Sequence, residues 1–190
     1  MKLDIDYFKN AACADPYYHG LGSVRVKILD VPGRVETINF YSKKHIPEIA
    51  KYIHTHPAVL HSEKLYGTYE NIKYDWKISE EKTDWCMEEL NSCSFDSGKP
   101  KLLHPNVIVY EKEKEMLNDN MIHPDFEFHD LKLITDVVIT KMVHSGFVDT
   151  TPKVKILRNK CVYPNYICAL SKPGNAKDNW EIIREILNEI

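Results

Sequence analysis

The sequence has no CxxC pair. Its five cysteines, Cys13, Cys86, Cys93, Cys161 and Cys168, are odd in number and widely spaced, which excludes a zinc ribbon or a thioredoxin-type redox motif and fits reduced thiols in a cytosol. An excess of positive charge is also missing. Lys and Arg number 25 against 28 Asp and Glu, a formal charge of −3, and no Lys/Arg stripe is interleaved with aromatics. Nucleic acid is therefore not the expected partner, and a small molecule or a protein is. No run approaches the ~18 apolar residues of a membrane span. The opening "MKLDIDYFKNAACADP" lacks the basic-then-apolar order of an export leader. These absences predict a soluble, cytoplasmic protein with no membrane partner. With no linker and no internal repeat, the 190 residues read as one domain, long enough to bury a core without staples. That core is expected over about 23–170, with a helix at 179–190.

Helical signal is scarce too. Only "DNWEIIREILNEI" has it: Asp178 or Asn179 can cap the segment, and Trp180, Ile183, Ile186, Leu187 and Ile190 form an apolar face that packs against something larger. The rest is punctuated like short strands. Ser23–Leu29 and Arg34–Tyr41 flank "DVPGR", a hairpin around Pro-Gly. "KYIHTHP" reads as a strand to Pro57. Lys64–Ile78 places Tyr66, Thr68, Glu70, Ile72, Tyr74 and Trp76 on one side at period two. Further strands are expected at 106–113, 135–143, 152–158 and 166–170, and "TDWCMEELNSC" fits either strand or helix. "SFDSGKPKLLHP" is the expected exposed loop. The whole predicts an all-β, mainly antiparallel sandwich or barrel with a C-terminal helix.

What the chain does have is histidine: nine in all, three of them in "HTHPAVLH", His54, His56 and His61. A metal site, a pH-sensitive surface patch and chance all compete to explain them. On one strand, His54 and His56 would face the same side roughly 6.6 Å apart at ~3.3 Å per residue, close enough to chelate one ion at ~2.0–2.2 Å. A third donor must come from elsewhere. "HPD" (His123, Asp125) with His144 imitates a two-histidine, one-carboxylate site, but the spacing is short for it.

The stretch from His54 to Gly67, with Leu60 between, has the spacing His, one residue, His, three residues, a position usually Glu, six residues, Gly. "PDFEFH" follows as Pro124, Phe126 where Gly is usual, and His129. On these two motifs the chain resembles the cupin superfamily, and within it small cysteine-dioxygenase-like or RmlC-like jelly rolls, including phage-type ones. The resemblance covers about half the chain, from the strand before His54 to the strand after His129. It implies a double-stranded β-helix, or jelly-roll barrel, with His54, His56 and His129 as metal ligands, their Nε2 atoms converging inside the barrel.

Leu60 cannot coordinate, so three arrangements stay open: a three-histidine site, a further donor from His61 or Glu63 across a bulge, or a chain that has dispensed with metal. Iron suits neutral nitrogen donors, and zinc, nickel, copper or manganese are alternatives. The implied activity is that of a metal-dependent, dioxygenase-like oxidoreductase acting on a small polar or anionic molecule, with Tyr66, Tyr74 or Tyr69 lending a hydroxyl. The alternative is a non-oxidative binding module, or a sugar-epimerase-like protein, holding a sugar or nucleotide. Lys64, if it points inward, favours an anionic substrate. Tyr66, Tyr74 and Trp76 read first as core and second as a stacking surface. Cupins are commonly homodimeric, and residues 1–10 could add an edge strand at such an interface.

Overall fold

A computed structural model describes residues 3–19, 22–46, 52–91, 100–145, 153–164 and 176–190. The chain runs α1 (Ile5–Ala11), β1 (Tyr17–His19), β2 (Ser23–Val31), β3 (Arg34–Ser42), β4 (Ile53–His54), β5 (Val59–Tyr66), β6 (Tyr69–Ile78), β7 (Trp85–Asn91), β8 (Lys101–Met116), β9 (Asn120–His123), β10 (Phe128–Leu133), β11 (Val137–Ser145), β12 (Lys153–Asn159) and α2 (Ala176–Leu187). Two antiparallel sheets result. One is open, in the order β1-β2-β3-β11-β5-β9; in the other, β10-β4-β12-β7-β8-β6 closes into a barrel as β6 returns to β10. This is the expected all-β, double-sheet architecture with a C-terminal helix.

Turn chemistry explains where the sheets part. The β2–β3 hairpin reverses at Pro32-Gly33, with Val31 opposite Arg34 and Gly33 at φ 78°, a value a Cβ disfavours. Gly67 does more. It too has positive φ, 67°, and a Cβ there would strike the Val137 carbonyl oxygen and come within 2.5 Å of Thr135 Oγ1. The chain therefore reverses at Gly67 and leaves the open sheet for the barrel. Lys64–Ile78 is thus not one strand, and the face proposed for it is divided: Tyr66 ends β5 while Tyr74 and Trp76 lie on β6.

Other expectations change for local reasons. The N-terminal segment is helical over Ile5–Ala11 rather than an edge strand, because Asp4 caps it by accepting the Tyr7 N–H at 2.9 Å and Phe8 buries completely. "TDWCMEELNSC" resolves as strand β7 through Asn91, paired on both sides. Lys101–Pro105, expected in a loop, opens β8. The proposed strand at 166–170 and the rest of that loop lie outside the described residues.

The open sheet's outer face is its apolar one. Val24, Val26, Ile38, Phe40, Val137 and Ile139 pack with Phe8 of α1 and Ile183 and Ile186 of α2. Each such side chain contributes about 1.5–3 kcal/mol by leaving water. Asn179, expected as a cap, lies inside α2 and is buried, and its Nδ2 donates to the Pro16 carbonyl at 2.9 Å. The alternating residues of the same strands, among them Arg25, Asn39, Tyr41, Thr140 and His144, turn the other way, toward the barrel. Cys13, Cys86 and Cys161 are free thiols. Among the described residues no helix is long and apolar enough to cross a membrane.

Candidate metal centre

His54 closes the two-residue β4 and sits directly opposite His129 on β10. The strand ends there. Thr55 is tied to β12, its N–H donating to the Lys155 carbonyl and its Oγ1 accepting the Lys155 N–H, each at 3.0 Å. His56 lies beyond the strand, its carbonyl accepting the Phe126 N–H at 2.9 Å. The pair therefore does not share one extended strand as expected. The rings nevertheless converge: centroids are 4.8 Å apart for His54–His56 and His54–His129, and 4.9 Å for His56–His129. One ligand atom from each lies within 4.8 Å of the others, and the Nε2 atoms of His56 and His129 are 2.8 Å apart.

Two of the rings are oriented from behind. His129 Nδ1 lies 2.7 Å from Asn71 Oδ1 and His54 Nδ1 lies 3.0 Å from the Tyr52 carbonyl. Each acceptor can only take a proton, so Nδ1–H donates and the Nε2 lone pair faces the cluster. Burial pushes all three pKa values down, His54 to about 4 and the other two well below the ordinary imidazole value, with neighbouring histidines adding to the effect on His56 and His129. Neutral imidazoles with inward lone pairs are the form that binds a transition metal. The donor set suits one ion at ~2.0–2.2 Å provided the rings draw together, since their ligand atoms lie up to 4.8 Å apart.

Leu60 is buried, at 1% exposure, on the inner face of β5. His61 and Glu63 are exposed and are not brought to the cluster. The register from Val59 to Lys64 is regular, with the irregularity only beyond Lys64, so no bulge turns either residue inward. Tyr66 is 40% exposed at the end of its strand. Tyr74 packs with the barrel's apolar cluster around Phe128 and Leu157, where burial lifts its hydroxyl pKa to about 12. Tyr69 is fully buried, its hydroxyl donating to Ser62 Oγ at 3.1 Å and lying 3.2 Å from His123 Nε2. Lys64 Nζ is 3.7 Å from Asp119. Asp125 is exposed and does not join His123.

A cavity of about 370 Å³ opens beside the cluster, bounded by His54, His56, His129, Arg25, Tyr41 and Met142 among others. Its charged lining counts Arg25, Lys43 and Lys132 against Asp130. Arg25 Nε donates to Ser23 Oγ at 3.3 Å, and no ion pair joins it to a carboxylate among the described residues. Sequence reasoning missed it because Ser23, Arg25 and Lys27 look like the wet side of an ordinary alternating strand. That side faces the barrel. His19 was also missed, and His123 and His144, set aside as an unsuited pair with Asp125, are buried here too; each has a pKa lowered chiefly by burial, His123 to about 4 and His144 to about 3. His123 and His144 flank Leu60 on the neighbouring strands β9 and β11.

No protein-family model matches the chain, and no curated protein matches its sequence. Similar solved structures include CapF, in a crystal structure with the inhibitor 3-isopropenyl-tropolone, at 14% identity over 70% of this chain and 31% of that one, TM-score 0.36. Escherichia coli ycfD is similar at 12% identity over 98% of this chain and 60% of that one, TM-score 0.42. The chain thus spans less than two thirds of either.

Proposed function

We propose that the protein is a cupin-like metal protein in which His54, His56 and His129 hold one divalent transition metal, iron in first place, and which acts as a dioxygenase-like oxidoreductase on a small anionic molecule. The observation that carries this reading is the convergence of three neutral imidazoles, two of them anchored through Nδ1, on the wall of a cavity that Arg25 also lines. An ion bound there supplies Lewis acidity and, if it is iron, redox chemistry toward dioxygen. The chain's own residues do the rest. Asn71 and the Tyr52 carbonyl hold two rings in position. Arg25, hydrogen-bonded to Ser23 and without a carboxylate partner among the described residues, offers positive charge to an anionic group. Leu60 keeps a carboxylate away from the cluster, leaving room for a substrate atom.

A second reading rests on a different observation. Arg25, Asn39 and Thr140 stand side by side on β2, β3 and β11, and Asn39 Nδ2 and Thr140 Oγ1 are buried without partners among the described residues. Such a polar row also suits a non-catalytic module that holds a sugar or nucleotide. Metal analysis of protein purified without a histidine tag separates the two. Stoichiometric iron that His54→Ala removes supports the first reading; no bound transition metal, with ligand binding retained, supports the second.

A further inference from the structure

Beyond the three histidines, the open sheet brings another buried imidazole close. His123 is 2% exposed, and its ring centroid stands 4.9 Å from that of His129, the same spacing found within the trio. Tyr69 gives its single hydroxyl proton to Ser62, so His123 Nε2–H donates to the Tyr69 oxygen and Nδ1 carries the lone pair. That nitrogen is buried and has no hydrogen-bond partner among the described residues. A buried acceptor left unpaired is costly.

Resting on the metal reading above, we infer that His123 is a fourth nitrogen ligand, binding the ion through Nδ1 from β9. It stands beside Leu60, whose register partner it is, and offers a donor from the adjacent strand where Leu60 offers none. The ring lies against His129, outside the group of three, so ligation requires it to turn toward them. Tyr69 and Ser62 hold its tautomer, as a hydrogen bond on the far nitrogen commonly does for a ligating imidazole. A four-nitrogen site admits softer divalent ions as readily as iron and leaves fewer positions for substrate.

The test loads the full-length, chelator-stripped protein with zinc or cobalt(II) and reads affinity by competition titration and imidazole count by X-ray absorption. Wild type should show four imidazoles. His123→Gln should show three and lose at least the ~10–100-fold in affinity typical of an outer partner. Tyr69→Phe should keep four and lose about tenfold, the low end of what an outer partner contributes. Three imidazoles in the wild type, or wild-type affinity in His123→Gln, overturns the inference while His54→Ala still abolishes binding. If wild type binds no metal, or His54→Ala binds as tightly as wild type, the three-histidine reading itself fails. Should His123→Gln not fold, the wild-type imidazole count decides alone.

Discussion

The open sheet has two faces made from the same strands, and they differ in kind. On the outer face Val24, Val26, Ile38, Phe40 and Ile139 are shut against Phe8, Ile183 and Ile186. On the inner face Asn39, Thr140 and His123 each carry a buried polar atom without a partner, and so does His19 of the same sheet. A fold seeking only stability would fill the inner face with apolar side chains, because unpaired buried polar atoms are costly. The outer face holds the protein together; the inner face is arranged for something that comes to it.

The comparison can be pressed hardest with acid. His54 and His123 titrate near 4 in the folded protein because burial disfavours their charged forms, against about 6.5 when unfolded. Between pH 6.5 and about 4 the unfolded chain binds protons that the native protein refuses. Metal-free protein should therefore be most stable above pH 6.5 and lose up to about 1.4 kcal/mol per pH unit for each such histidine as pH falls, several kcal/mol in total. Urea unfolding at pH 7, 6 and 5 checks this. A flat profile would mean that the inner face is open to water.

On the outer face the expected effect is a cavity. Phe40→Ala should cost about 3–5 kcal/mol and leave the metal affinity of the folded protein unchanged. A matching loss of metal affinity would show the two faces to be coupled.

Smaller effects sharpen the contrast. Phe126 sits at φ 58° and is 56% exposed, so Phe126→Gly should gain about 1 kcal/mol by relieving a left-handed conformation. Thr140→Val, which removes an orphaned hydroxyl, should leave the protein unchanged or up to about 1 kcal/mol more stable. A larger loss from Thr140→Val, read by denaturation, would mean that this hydroxyl is paired in solution.

Much of this was legible in the sequence. The hairpin around Pro32-Gly33, the apolar face of α2 and the histidine pair could all be read, because each is a local pattern with a local cause. Gly67 was seen as a motif residue but not as the point where the chain changes sheets, since that depends on its contact with Val137. Arg25 stayed hidden, and His123 was paired with the wrong partners, for a more general reason. Period-two alternation says that a strand has two faces; when helices cover one and a barrel the other, it does not say which is wet. Phe8 escaped because α1 offers a single buried anchor in seven residues, too few to show a period.

The central claim is that His54, His56 and His129 hold a metal, and its most direct test is the metal-to-protein ratio of tag-free protein after dialysis against iron or zinc. His45, paired with Glu185 and Glu189 at the surface, serves as the control. The account predicts one ion per chain in wild type and in His45→Ala, and close to none in His56→Ala, with all three proteins folded. Equal metal content in His45→Ala and His56→Ala would contradict it.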